Sequence, residues 1–224
     1  MNNDTLPAGR ILSVQVGKPQ SLETVAGKAW KSAIVKTAVT GPVALEGVNL
    51  VGDDQSNRRY HGGADKVVCA YASEWFPLWN QEFSLNMPAG AFGENITLQD
   101  LTEDKLCIGD TLLIGSEVLL QISQPRQPCI NVSKRWAIPS LPRRMEETGH
   151  TGFYCRVLRA GSLEAGQTVQ VSERPYPRWT LQHANAVMYA EDRDPVAITA
   201  LRELPLLSAE WKRILGRKLA YTQG

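Results

Sequence analysis

The chain has 224 residues, 43% of them hydrophobic, with 24 Lys and Arg against 23 Asp and Glu and a formal net charge of +1. That is enough chain for one large domain, or a domain with a small appendage, and enough apolar matter for a real core. The near-neutral balance, with no run of like charge, no stretch near 18 apolar residues and no apolar signal core in the opening MNNDTLPAGR, argues for a soluble cytoplasmic protein with no nucleic-acid or membrane partner.

From Gly9 to about Glu173 the sequence predicts short strands with turn punctuation. ILSVQVG (from Ile11) alternates, and KSAIVKTAV (Lys31 to Val39) and KVVCAYA (Lys66 to Ala72) are rich in β-branched residues. SEWFPLWNQEF (Ser73 to Phe83) reads as a helix broken near Pro77. LLIGSEVLLQIS (Leu112 to Ser123) reads as a hairpin with a two-residue turn at Gly115-Ser116. SLPRRMEET (Ser140 to Thr148) is a second helix; FYCRVLRAG (from Phe153) and QTVQVSER (from Gln167) add strands. LCIGDTLLIG and LEAGQTVQV share a Gly, a polar residue and Thr ahead of an apolar alternation, each marking entry to a barrel strand. Many short strands at this spacing predict a mainly β fold, a barrel or sandwich.

After SERPYPRW the texture changes. TLQHANAVMYA, DPVAITALREL and SAEWKRILGRKLA carry apolar residues at three- and four-residue spacing, with Asp194-Pro195 and Ser208 as helix-start signals. The prolines Pro175 and Pro177 read as a linker. The expected organisation is an N-terminal tail (1–8), a β domain (9–174), and a linker with a three-helix domain (175–224). The last helix carries Lys212, Arg213, Arg217 and Lys218, a solvated face or a docking face for an acidic partner.

Four widely spaced cysteines, Cys69, Cys107, Cys129 and Cys155, form no C-x-x-C pair, and the histidines His61, His150 and His183 form no H-x-x-x-H pair. A zinc ribbon, a self-contained iron–sulfur site and a disulfide framework are therefore not expected. One cysteine stands out. In QPRQPC, Pro125 and Pro128 remove two N–H donors and restrict Gln124 and Gln127 to extended geometry, so Cys129 leaves a stiff loop beside Arg126, whose charge favours thiolate. The alternative is a packed free cysteine.

NRRYHGGADK (Asn57 to Lys66) places Gly62-Gly63 after His61, an arrangement that lets backbone N–H groups approach an anion, with Arg58, Arg59 and Lys66 adding charge. Taken alone it reads slightly better as a hairpin turn with solvated basic residues. LVGDDQ (Leu50 to Gln55) reads as a turn. In AFGENITL, Gly93 permits a bend, Asn95 offers donor and acceptor, and Glu94 is an acid/base candidate or a surface carboxylate.

In order, G-D-x-Q, H-G-G, F-G-E-N, CIGDTLLIG and QPRQPC resemble the motif series of MOSC domains, and the trailing helices resemble the YiiM type of that family. The resemblance spans nearly all of residues 9–220. It implies a MOSC-type β-barrel followed by a three-helix domain, and a molybdenum–molybdopterin cofactor whose metal is ligated by Cys129. It further implies that Arg59, His61, Gly62, Gly63, Asn95, Gln124 and Arg126 contact the cofactor, with Cys129 and His61 in catalysis. Relatives reduce N-hydroxylated compounds such as 6-hydroxylaminopurine. No ferredoxin-like cysteine run is present, so electrons are expected from a separate flavin or iron–sulfur reductase.

Three other readings remain open on the sequence: a sulfur or cofactor carrier without turnover, a cysteine hydrolase or transferase with His61 or His150 as base, and a binding domain with a basic pocket. Pyridoxal phosphate has no support, since no Schiff-base lysine context is visible.

Overall fold

The computed structural model describes residues 6–220, so the first five residues of the expected N-terminal tail lie outside it. The strands, in chain order, are β1 (Ala8–Val16), β2 (Gln20–Glu23), β3 (Ala29–Ser32), β4 (Thr37–Ala38), β5 (Val43–Glu46), β6 (Asn49–Leu50), β7 (Val68–Ala72), β8 (Ile96–Gln99), β9 (Thr111–Ile114), β10 (Val118–Pro125), β11 (Phe153–Arg159), β12 (Gly161–Leu163) and β13 (Thr168–Glu173). The helices are α1 (Arg58–His61), α2 (Phe76–Phe83), α3 (Ile130–Trp136), α4 (Leu141–Thr148), α5 (Leu181–Tyr189), α6 (Pro195–Arg202) and α7 (Ala209–Ala220).

Seven strands close a barrel in the order β13-β9-β10-β11-β7-β8-β1, and β1 returns to β13 with Gly9 opposite Val169. Closure removes the open sheet edges. Neighbours run antiparallel except β7 and β8, which are parallel, Ala70 beside Ile96. The two Gly-polar-Thr segments do lead into barrel strands, at Thr111 and Thr168, and those strands pair with each other. Inward residues such as Ile11, Ile96, Leu112, Leu120, Phe153 and Val171 fill the interior.

Three local expectations are corrected. The β9–β10 connection has three residues, 115–117, and Gly115 takes φ +56° at its start. In Ser73–Phe83 a 3-10 turn over Ser73–Trp75 precedes α2, and Pro77 sits in the first turn of α2, where a missing N–H costs nothing. Within Lys31–Val39 the sheet pairing lapses between Ser32 and Thr37, where Ala33 and Ile34 turn into a pocket wall.

The three terminal helices form as expected. Thr180 caps α5 by accepting from His183 N at 3.0 Å, and Asp194 caps α6 by accepting from Val196 N at 2.8 Å. They share the barrel's apolar core: Leu181, Met188, Leu201, Trp211 and Leu215 belong to the same buried cluster as Ile122 and Phe153. A bulge explains part of the docking. The β10–β11 register slips between Ile122 and Gln124, which frees the Ser123 carbonyl to accept from Ser208 N at 2.9 Å. A second apolar cluster, with Tyr71, Phe76, Trp79, Phe92, Val132 and Met145, packs α2, α3 and α4 on the barrel's outside. Among the described residues no helix is long and apolar enough to cross a membrane.

Candidate functional site

β10 delivers Pro125 opposite Phe153, after which the chain runs without regular structure to Cys129, the residue ahead of α3. The Arg126 backbone N–H is tied to Gly152 O at 2.9 Å, so the loop is fixed at its root. The Cys129 side chain packs against the outer aromatic cluster and lines a small cavity of about 70 Å³. Its neighbours there include His61, Arg126, Asn131, Tyr154 and Cys69.

The four cysteines differ in acidity. Burial pushes Cys69 up, Cys107 up to about 11, and Cys155 well up. Burial also acts against the Cys129 thiolate, yet hydrogen bonding from His61, the Arg126 charge and the Asn131 backbone outweigh it and bring that thiol down to about 7. Cys129 is therefore the one cysteine with substantial thiolate at neutral pH.

Arg126 is 5% exposed, and its Nη1 has no hydrogen-bond partner. A buried guanidinium nitrogen without a hydrogen-bond partner costs free energy. Arg126 lines the small cavity, and its charge suits an anion there.

The opposite wall is a buried polar cluster. Asp53 pairs with Lys36 and accepts from Gly17 N at 2.8 Å and from Asn95 Nδ2 at 2.9 Å. Asn95 Oδ1 accepts from Cys69 N at 3.1 Å, which fixes β7 against β8. Arg135 of α3 donates to Ile34 O and Gly90 O, each at 2.7 Å, and so clamps the irregular segment before β4.

The model of the MOSC domain matches residues 57–170, and that of the YiiM-like, 3-alpha helix domain matches residues 179–221. The chain belongs to the MOSC family, in its YiiM-like form. It is 36% identical over 208 residues to the Bacillus subtilis (strain 168) protein YflK, covering 93% of each chain. A Gibberella moniliformis protein named "Reductase" is 32% identical over 212 residues; these cover 91% of this chain and 37% of that one. The crystal structure of YiiM from Geobacillus stearothermophilus superposes with a TM-score of 0.79 at 37% identity, covering 95% of this chain and all of that one.

Within this MOSC protein the residues singled out from the sequence fall into adjoining spaces. His61, Asn95, Arg126 and Cys129 line the small cavity. Gln124, with His61 and Cys129, lines the groove outside it, and Arg59, Gly62 and Gly63 line a further cleft. His150 lies apart from all three, its ring stacked 3.5 Å from that of Trp75, so it is not placed to act as a base for Cys129.

The H-G-G segment is not a hairpin: α1 precedes the glycines and a 3-10 turn (Ala64–Lys66) follows. Gly62 N bonds Arg58 O at 3.0 Å, so it is not free to meet an anion, while Gly63 takes φ +102°, a conformation that favours glycine. Lys66 is buried, pairs with Glu210 of α7 and donates to Tyr60 O at 2.7 Å. Glu94 is a wholly buried carboxylate that accepts from Gly90 N and Phe92 N at 2.6 and 3.0 Å, which makes it a loop brace.

Lys36, Asp53, Cys69 and Tyr154 were not singled out from the sequence for the site. Asp53 had a signal, since it is the acid of the G-D-x-Q segment; strand residues such as Cys69 and Tyr154, which alternate with the barrel-core residues Val68, Ala70, Phe153 and Cys155, had none.

Proposed function

We propose that this protein is a molybdenum-cofactor oxidoreductase that reduces N-hydroxylated compounds with electrons from a separate flavin or iron–sulfur reductase. The observation that carries the reading is that one cavity is lined by both the acidified Cys129 thiol and the buried Arg126, whose Nη1 has no hydrogen-bond partner. Family membership and a relative named "Reductase" support it.

The residues fit a molybdenum–pterin. Among the described residues no group of three or more His, Cys, Asp and Glu is arranged to hold a metal ion. A metal here is best served by a cofactor that brings its own sulfur ligands and takes one soft thiolate from Cys129. Arg126 balances the charge of that anionic assembly, and the cofactor's phosphate suits the basic loop from Arg59 to Lys66. When bound, the molybdenum supplies the two-electron removal of oxygen. The net reaction takes a hydroxylamine, two electrons and two protons to an amine and water.

The chain's own residues hold and orient. The fixed root of the Cys129 loop sets the direction of the sulfur. His61 hydrogen-bonds that sulfur and is placed to pass protons at the mouth. Tyr154, Phe92 and Ile34 form a wall that limits water.

The test is turnover of 6-hydroxylaminopurine by protein from a molybdopterin-producing host, with reduced viologen as electron source. Turnover that disappears in Cys129→Ala supports the reading. Cofactor exchange without turnover indicates a carrier instead, and metal-free hydrolytic activity indicates a cysteine hydrolase using His61.

A further inference from the structure

The cleft beside the Cys129 groove is built from both parts of the chain and is rich in unpaired positive charge. It has a volume of about 720 Å³ and is bounded by the Arg59–Lys66 segment on one side and α7 on the other. Its two carboxylates are taken: Asp65 by Arg156 at 2.9 Å, and Glu210 by Lys66. Arg59, Arg213 and Arg217 remain, and among the described residues none of them pairs with a carboxylate. Arg213 and Arg217 stand four residues apart on one face of α7, where like charges repel. The four cations of that helix do not form one outward face. Lys212 donates to Pro205 O at 3.1 Å, and burial, with Arg193 nearby, lowers the pKa of Lys218; only the two arginines line the cleft.

The cleft runs on into the groove of about 510 Å³ that reaches Cys129, and the two share Tyr60, Lys66, Gln124 and Glu210. On the rim of that groove two large apolar side chains are open to solvent, Tyr60 at 56% and Ile130 at 64% exposure. A flat ring between them would cover both, with its substituent toward Cys129 and any anionic tail toward the arginines.

We infer that the substrate carries a phosphate: an N-hydroxylated nucleotide, its base between Tyr60 and Ile130 and its phosphate on Arg213 and Arg217. This rests on the reductase reading and narrows its substrate class. The N–O bond breaks, two electrons arrive from the reductase protein and two protons from solvent, water leaves, and the phosphate is untouched.

The test compares N6-hydroxyadenosine 5′-monophosphate with free 6-hydroxylaminopurine in the cofactor-loaded full chain. Calorimetric titration with adenosine 5′-monophosphate gives a readout that needs no turnover. In the wild type kcat/KM should favour the nucleotide by about tenfold or more, as charge-assisted contacts allow. Arg213→Gln combined with Arg217→Gln should bring that ratio near one and weaken adenosine 5′-monophosphate binding in parallel, with pterin content unchanged. Arg143→Gln, on the surface of α4, should alter neither ratio nor binding. Equal use of both substrates with no nucleotide binding overturns the inference and leaves the reductase reading standing. Nucleotide binding that depends on the arginines, with no turnover of either compound, keeps the phosphate site and removes the reductase reading. Loss of pterin in the double variant would give the site to the cofactor's phosphate. Loss of reductase-driven turnover alone would give it to the donor protein. Either result overturns the inference.

Discussion

Ser208 Oγ donates to Gln124 Oε1 at 2.6 Å, joining the start of α7 to the strand that leads into the Cys129 loop. The same hydroxyl accepts from Trp211 N at 3.2 Å, so one buried oxygen both caps the helix and holds the carboxamide of Gln124, whose Nε2 donates to Pro125 O at 3.2 Å. Gln124 is thus engaged in supporting the loop.

Ser208→Ala should cost about 1–2 kcal/mol, a lost cap together with a buried carboxamide oxygen left unpaired. Chemical denaturation checks this through the unfolding midpoint at unchanged slope. A change within a few tenths of a kcal/mol would mean that the two contacts are replaced by water.

The Asp53 cluster should be less forgiving. Lys36 and Asp53 are nearly solvent-free, so Asp53→Ala strands a buried ammonium and an amide donor of Asn95. The expected loss is about 3–5 kcal/mol. A double variant that also replaces Lys36 with Met should recover part of that loss, and failure to recover any would show that the hydrogen bonds to Gly17 and Asn95, not the charge pair, hold this wall.

Two groups next to Trp75 give opposing pH dependences. Burial pushes the Glu103 carboxyl from 4.5 up to about 7, against hydrogen bonds from Gly152 N and Trp75 Nε1. Folded Glu103 keeps a proton that the unfolded chain releases, so its contribution is present below pH 4.5 and lost as pH rises to about 7. Burial pushes His150 from 6.5 down to about 4, and its contribution grows as pH rises across that range. In the wild type the two slopes oppose each other. Melting temperatures measured from pH 4 to 8 should rise more steeply between 4 and 6.5 in Glu103→Gln, and should fall across the same range in His150→Phe. Parallel profiles for all three proteins would rule this assignment out.

In cofactor-free protein, iodoacetamide should modify Cys129 with a rate that climbs through about pH 7, while buried Cys69 and Cys155 stay unmodified in the folded state. Peptide mass spectrometry after timed alkylation reads this directly. Equal labelling of all the cysteines, or a Cys129 midpoint near 9, would mean that His61 and Arg126 do not act on the sulfur.

Barrel strands and terminal helices were legible because their periods are clean and their starts carry chemical signals: Thr111 and Thr168 for two strands, Thr180 and Asp194 for two helices. α3 was not. INVSKRW is β-branched near its start and follows a cysteine that offers no side-chain cap; the helix forms because Val132 packs into the aromatic cluster and Trp136 Nε1 reaches Ala91 O at 2.8 Å. Asp53 read as a turn residue because its burial depends on partners far away in the chain, Gly17 and Lys36; Glu94, which read as an acid/base candidate or a surface carboxylate, is instead bound by its own loop, through Gly90 N and Phe92 N. Cys129, Arg126, His61 and Asn95 could be named in advance because motif order carries them. Lys66 looked like a solvated base until Glu210, 144 residues later, supplied its counter-charge.

The central claim is that Cys129 and Arg126 hold a molybdenum–pterin. Its most direct test is to purify the full chain from a molybdopterin-producing host and measure molybdenum by mass spectrometry and oxidised pterin by fluorescence, alongside Cys129→Ala. The expected result is metal and pterin near one per chain in the wild type, with the variant losing metal and retaining part of the pterin. Repeated purification of wild-type protein containing neither would contradict the claim.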